Sequence, residues 1–457
     1  MVAGVGPVRG RCRSVRIRPL ALRTIPGRAF SQIRNLPITH ADCAACTACS
    51  GSDMTAPPNT LIMVFGPGGS LTRWEGLRRL EREKTLLKGL LSVVPHIIFV
   101  SITGERDRQI AGELSDELGG RIDAIALDQP DEEIGEGRPV HERVLARLGG
   151  SASVVIQTMQ LDDGGISHRL IHPLRRAGVR AALVARGGSI GSRVLASRYG
   201  SHSYEAIAAG NREREICKQA QIVVGVSECM IDELCWRYGI NPSRTRVIPH
   251  VVDQSLEPVD TEQRDQDLLL TVGELTDSGG VETILRAIAS LNEETQQRLR
   301  LEVIGEGPER SALSALAVEL GVRAEFKGRR PHAEVIERMR SCAVFLHAST
   351  HRRLSRSVLE AMSHGAPVIV TDTTEYDGFV DNGATGIRVK STPDAFAFGL
   401  ANMIEDASWR EMIGSSAARV VRYRCGIDRM IDMNRRAFSD ALAIAPASIS
   451  PKARRAG

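Results

Sequence analysis

The sequence predicts an α/β protein built from two doubly wound domains. Between residues 268 and 389, three strand-like runs each end in a loop and then a helical stretch: 268–272 into Gly273, 301–304 into Gly305-Glu306-Gly307-Pro308, and 344–347 into a polar loop followed by a helix with Glu360. The first half of the chain repeats this alternation. A length of 457 residues suggests about three domains at ~150 residues each, and large α/β domains lower that number to two.

The elements follow in order. Residues 61–65 form a strand that opens into Gly66-Pro67-Gly68-Gly69-Ser70, and a helical stretch covers 74–91. A strand, a glycine loop and a helix let backbone N–H groups approach an anion, so Gly68, Gly69 and Ser70 are candidates for an acceptor or phosphate loop. Strands follow at 96–101, 154–157 and 181–185, the last ending at Arg186, and then at 222–226 and 246–248, with an acidic loop at 128–136. Their ends present small or polar residues on one edge, where open parallel sheets bind ligands.

The predicted layout is a leader at 1–58, a first domain at 59–252, a polar linker at 253–267 and a second domain at 268–414. A basic amphipathic helix at 415–440 closes the domains, and an unstructured tail runs from 441 to 457.

Hydrophobic content of 42% with 25% charged residues is that of a soluble globular chain. Aromatics at 4% are too few for base-stacking platforms, so nucleic acid is not an expected partner. No apolar run reaches the ~18 residues of a membrane span, which leaves a cytoplasmic protein with at most peripheral contact at the inner face of the membrane. Eight arginines precede Asp42, the first acidic residue, so the net charge of +4 belongs to the leader. A transit peptide has that composition, and so does translated upstream DNA. Met54, just before the first foldable pattern, favours the second reading and is the expected functional start.

Nine cysteines in a chain of this length do not suggest a disulfide framework. Cys43, Cys46 and Cys49 fall short of a four-ligand zinc set unless His40 joins them, and Cys217, Cys229, Cys235, Cys342 and Cys425 read as core cysteines. His168 and His172 lie four apart without a carboxylate ligand and read as surface histidines, so no metal is expected.

From 61 to 420 the chain resembles the two-domain GT-B glycosyltransferases of the large retaining family four, which use nucleotide-diphosphate sugars. In the second domain the resemblance rests on Val272-Gly273-Glu274-Leu275, Val303-Ile304-Gly305-Glu306-Gly307-Pro308, Phe326-Lys327-Gly328, residues 359–369 and residues 381–386. In the first it rests on Ser70-Leu71 with Trp74, Arg82-Glu83, Gln157-Thr158-Met159-Gln160, Val184-Ala185-Arg186-Gly187 and Val247-Ile248-Pro249, which are similar to a bacterial subgroup. The resemblance implies a GT-B fold of two Rossmann-like domains facing a central cleft. The first domain would take an unknown saccharide, lipid-linked or small-molecule acceptor, and the second the nucleotide sugar as substrate, with no cofactor. It implies donor contacts from Gly273, Glu274, Gly305, Gly307, Arg352, Ser355, Arg356 and Glu360, the last reaching the ribose. Gln160 and Arg186 fall on the acceptor side, and Arg352 and Arg186 are the candidates for catalysis.

The charges depart from the family pattern. That pattern places an Arg after Gly273 and a Lys five residues later, where this chain has Glu274 and Gly279. The first of two paired glutamates is replaced by Arg352, and the carboxylate of a Gly-Gly-x-Pro-Glu turn by Gly378. Preorganised cations at the departing diphosphate supply much of the catalysis in such transfers. Two readings follow. Either Arg352, Arg353 and Arg356 supply the charge from the opposite wall, or Glu274 and Arg352 pair across the cleft in a degenerate protein that serves as a binding or scaffolding partner.

Overall fold

The computed structural model describes residues 57–446, apart from 78, 103–105, 128–137, 150–152 and 164. The Arg-rich leader up to residue 56, the cysteine run within it and the acidic loop at 128–136 lie outside the described residues.

Seven parallel strands make the first sheet among the described residues: β1 Thr60–Val64, β2 His96–Ile102, β3 Arg121–Leu127, β4 Ser153–Thr158, β5 Arg180–Arg186, β6 Ile222–Gly225 and β7 Thr245–Val247. Their order is β3-β2-β1-β4-β5-β6-β7, so the winding reverses between β1 and β4. The second sheet holds β8 Asp265–Val272, β9 Arg300–Ile304, β10 Ala324–Gly328, β11 Cys342–His347, β12 Val368–Thr371 and β13 Ile387–Val389. Its order is β10-β9-β8-β11-β12-β13, with the reversal between β8 and β11. Ligand crevices in open parallel sheets lie at such reversals, beyond the carboxyl ends of the strands.

The central strands are apolar without alternation because helices cover both faces. Leu61, Ile62, Met63 and Val64 are all fully or almost fully buried, as are Ile97, Ile98, Phe99 and Val100. Strand β3 was not legible in the sequence because Arg121 and Asp123 interrupt its apolar run at an edge, where polar side chains meet water.

Three boundaries differ from expectation. Strand β8 starts at Asp265, so the linker is shorter, and inside it Arg264 is buried with its guanidinium donating to the carbonyls of Met339, Arg340, Val259 and His364. The single closing helix is two, Ala407–Cys425 and Ile427–Ile444, separated at Gly426. The expected tail from 441 begins inside the second of these. Ala441 and Leu442 are buried, and the carbonyl of Leu442 accepts from Arg180 at 2.9 Å. A strong apolar stripe extends the helix, since Met430, Ala437, Phe438, Ala441 and Leu442 pack into one core with Leu61 and Phe99 of the first sheet. The first domain is thus completed by the last helix of the chain.

Candidate active site

The loops after β8 and β9 stack backbone against backbone. The Gly273 N–H donates to Ile304 O at 3.0 Å and the Leu275 N–H to Glu306 O at 3.0 Å. A Cβ at Gly305, where φ is +150°, would lie 1.8 Å from Gly273 O, and one at Gly307 would lie 2.1 Å from Leu275 O. Only glycine permits that approach. Gly305 and Gly307 therefore shape the floor, and Gly273 and Glu274 stand exposed at its rim.

Helix Arg356–Ser363 starts directly above this floor. Ser355 is its N-cap and lies 3.0 Å from the Ser357 hydroxyl, and the Ser357 hydroxyl donates to Val272 O at 3.2 Å, which ties the helix start to the end of β8. From the first position Arg356 crosses to the first domain and donates to Glu83 Oε1 at 2.6 Å; Arg82 Nη2 lies 3.3 Å from the same oxygen. The other Arg356 nitrogen, Nη2, lies 3.4 Å from His250 Nδ1. Burial opposes the Glu83 carboxylate, but Arg356 and Arg82 hold it below the usual glutamate range. Burial likewise lowers Arg356, and Glu83 and Glu360 more than offset it. Burial and Arg356 push His250 far down, so its ring is neutral and accepts from Arg356.

Arg186, at the end of β5, enters the same cleft. Its backbone and the Thr158 hydroxyl exchange hydrogen bonds at 2.8 and 2.9 Å, and its guanidinium donates to Asn434 Oδ1 at 2.8 Å. Burial and the neighbouring Arg356 lower it to about 10, still cationic at neutral pH.

Glu360 is 4% exposed. Among the described residues its carboxylate accepts no hydrogen bond; His332 Nε2, itself buried without a hydrogen-bond partner, lies 3.9 Å from Oε1, and the carboxylate acts electrostatically on Arg356 and Arg82.

Other expected residues stand apart. Arg352 is exposed and faces a cavity of about 820 Å³ lined also by Ser227, Asp232, Trp236 and Asp377. Among the described residues no ion pair joins it to Glu274, which corrects the expected exchange of charges; both side chains are exposed and stay hydrated. In the glycine loop, Ser70 caps helix Leu71–Gly76 by accepting from the Arg73 N–H at 3.0 Å. Gly68 takes φ +72°, Gly69 turns back to Gly66 O at 2.9 Å, and Gln160 lies over Gly66. These bonds fold the loop on itself.

Glu375, His250 and His332 were not singled out in the sequence. Glu375 is 1% exposed and reaches from the second domain to Ser227 Oγ at 2.6 Å and Arg193 Nη2 at 3.2 Å in the first. A signal existed: a carboxylate stands where the family turn has glycine, and nothing in its neighbours along the chain names its partner.

Residues 253–420 match the family model for glycosyl transferases group 1. An uncharacterized glycosyltransferase of Methanocaldococcus jannaschii is 27% identical over 44% of this chain and 55% of the relative. The lipopolysaccharide core biosynthesis glycosyltransferase LpsE of Rhizobium meliloti is 28% identical over 32% of this chain and 42% of its own length. The chain thus spans about half the length of the curated relatives it matches. Among solved structures, Anabaena HepE in complex with UDP and glucose superposes with a TM-score of 0.62 at 15% identity, covering 82% of this chain and 97% of that one. Sucrose-phosphate synthase of Thermosynechococcus elongatus gives 0.60 at 16% identity, covering 81% and 96%. The fold is GT-B, and residues 253–420, most of the second domain, are similar to the glycosyl transferases group 1.

Proposed function

We propose that the chain transfers a sugar, with retention, from a nucleotide-diphosphate donor held by the second domain to a saccharide, lipid-linked or small-molecule acceptor held by the first. The observation that carries this reading is Glu360, a buried carboxylate without a hydrogen bond at the donor-side wall of the cleft. The vicinal hydroxyls of a ribose would supply the missing donors. Arg356, Arg82 and Arg186 stand where the departing phosphate charge needs cations, taking over from the family positions now occupied by Glu274 and Gly279. Related names point the same way, since the Anabaena structure holds UDP and glucose. A cytoplasmic site with peripheral membrane contact suits such a substrate pair; among the described residues no helix is long and apolar enough to cross a membrane.

A second reading, a catalytically weak protein that serves as a binding partner, is favoured by one observation: Glu83 already neutralises Arg356. Calorimetric titration with UDP, GDP and ADP separates the two. Micromolar binding that is lost in Glu360→Ala supports the transferase, and absence of binding to all three supports the scaffold.

A further inference from the structure

The cavity of about 820 Å³ that Arg352 faces carries both signs of charge on separate elements. Glu228, Asp232 and Trp236 line it at intervals of four residues, on one side of the first-domain helix Glu228–Tyr238. The cations come from elsewhere: Arg352 follows β11, Arg424 ends helix Ala407–Cys425 and Arg429 lies on helix Ile427–Ile444. The lining holds four arginines and four carboxylates, so the cavity is dipolar rather than simply cationic. Part of that charge is already paired. Glu233 meets Arg193 and, at 2.6 Å, Arg237, and Asp377 meets Arg388 at 2.6 Å. Among the described residues no ion pair joins Glu228 or Asp232 to Arg352, Arg424 or Arg429, so the two sets stand apart. Two of these arginines are set in place by aromatic rings: Arg424 lies 5.1 Å from the centre of Phe379 and Arg429 4.8 Å from that of Tyr423. A guanidinium over a ring has its plane fixed and its N–H edge left for a ligand.

A neutral ligand entering here would strip water from charges of both signs and return no charge to either. A ligand with a cation at one end and an anion at the other answers both sets. Guanidinium forks match phosphate oxygens in pairs, and carboxylates take an ammonium group. Between them Trp236, 84% exposed, offers an apolar face broad enough for a sugar ring. The volume is that of a small-ligand pocket. We propose that this cavity binds an amino sugar phosphate, with the phosphate on Arg352, Arg424 and Arg429, the ring against Trp236 and the ammonium group at Glu228 and Asp232. That this ligand is the acceptor rests on the transferase reading; its binding does not.

The test is calorimetric titration of the full chain with glucosamine 6-phosphate, glucose 6-phosphate, glucosamine and glucose, each with and without saturating UDP. Glucosamine 6-phosphate is expected to bind most tightly. Asp232→Asn is expected to weaken it about fivefold and to leave glucose 6-phosphate no weaker, whereas Arg429→Gln weakens both phosphates about fivefold and spares glucosamine. Asp232 and Arg429 are exposed, so both variants keep the fold. Trp236→Ala, at an equally exposed position, is expected to weaken every probe that binds. Affinities that ignore the charges of the probe overturn the proposal. So does the absence of binding by all of them, the result expected if the charged walls close on each other instead. Binding of the expected pattern without sugar transfer from any nucleotide sugar keeps the site and removes only the transferase reading. Transfer to glucosamine 6-phosphate that is indifferent to Asp232→Asn and Arg429→Gln removes the site alone.

Discussion

Arg356, at the start of a second-domain helix, donates across the cleft to Glu83 of the first domain at 2.6 Å, and the pair is largely buried. It links the second-domain wall of the cleft to the first-domain wall through one short charged contact.

Removing one partner of this pair leaves the other buried and uncompensated. Arg356→Met or Glu83→Gln alone is expected to cost about 3 kcal/mol of stability, and the double variant less than the sum of the two. Urea unfolding of the four proteins in a cycle measures the coupling. Additive losses would show that the contact contributes nothing beyond its separate parts.

Glu83 also sets an acid limit. Its folded value lies below the ordinary 4.5, so the unfolded chain takes up the proton first and the stabilisation is complete above that value. It is lost as pH falls through the depressed folded value. The melting temperature should therefore hold between neutral pH and about 5 and drop below 4.5, with a shallower drop in Glu83→Gln. Identical acid profiles for the two proteins would contradict this.

Glu360 is expected to serve both stability and binding. Glu360→Gln removes a carboxylate charge that offsets the burial of Arg356 and Arg82, so unfolding should require about 1 kcal/mol less while nucleotide affinity falls. Thermal melts and calorimetry on the same preparation check both signs. A variant that is more stable would mean that the charge at Glu360 is not needed by the two arginines.

Restoring the family charges should succeed at only one position. Glu274 is exposed, so Glu274→Arg is expected to tighten UDP binding several-fold without loss of stability. At Gly279 a Cβ would meet Glu274 O at 2.5 Å, and Gly279→Lys should cost about 1–3 kcal/mol as the loop shifts. Equal tolerance of the two substitutions in chemical unfolding would show that the loop yields easily.

Glu375 is a second clasp between the domains. Glu375→Ala leaves Arg193 with Glu233 as its remaining acid partner and frees the Ser227 hydroxyl. The expected result is a larger radius of gyration in small-angle scattering and a loss of about 3 kcal/mol in stability. An unchanged scattering profile would limit Glu375 to a local role.

The sequence by itself determined the architecture. Continuous apolar runs such as 61–64 and 268–270 have to be buried on both faces, and glycines at Gly305 and Gly307 mark where backbone meets backbone. It also marked Arg356, Glu360 and Arg186 as cleft residues and showed that charges had moved away from the family positions. The extent of the last helix and the partners of those charges were decided by the tertiary structure. Ala441 and Leu442 become core only because the first sheet lies beneath them. Likewise Glu83 meets Arg356 and Glu375 meets Arg193 and Ser227, each from the other domain. The sequence suggested a pair of Glu274 with Arg352 instead, and their exposure keeps both solvated. Electrostatic pairing depends on distance and burial, and neither is encoded in the spacing of residues along the chain.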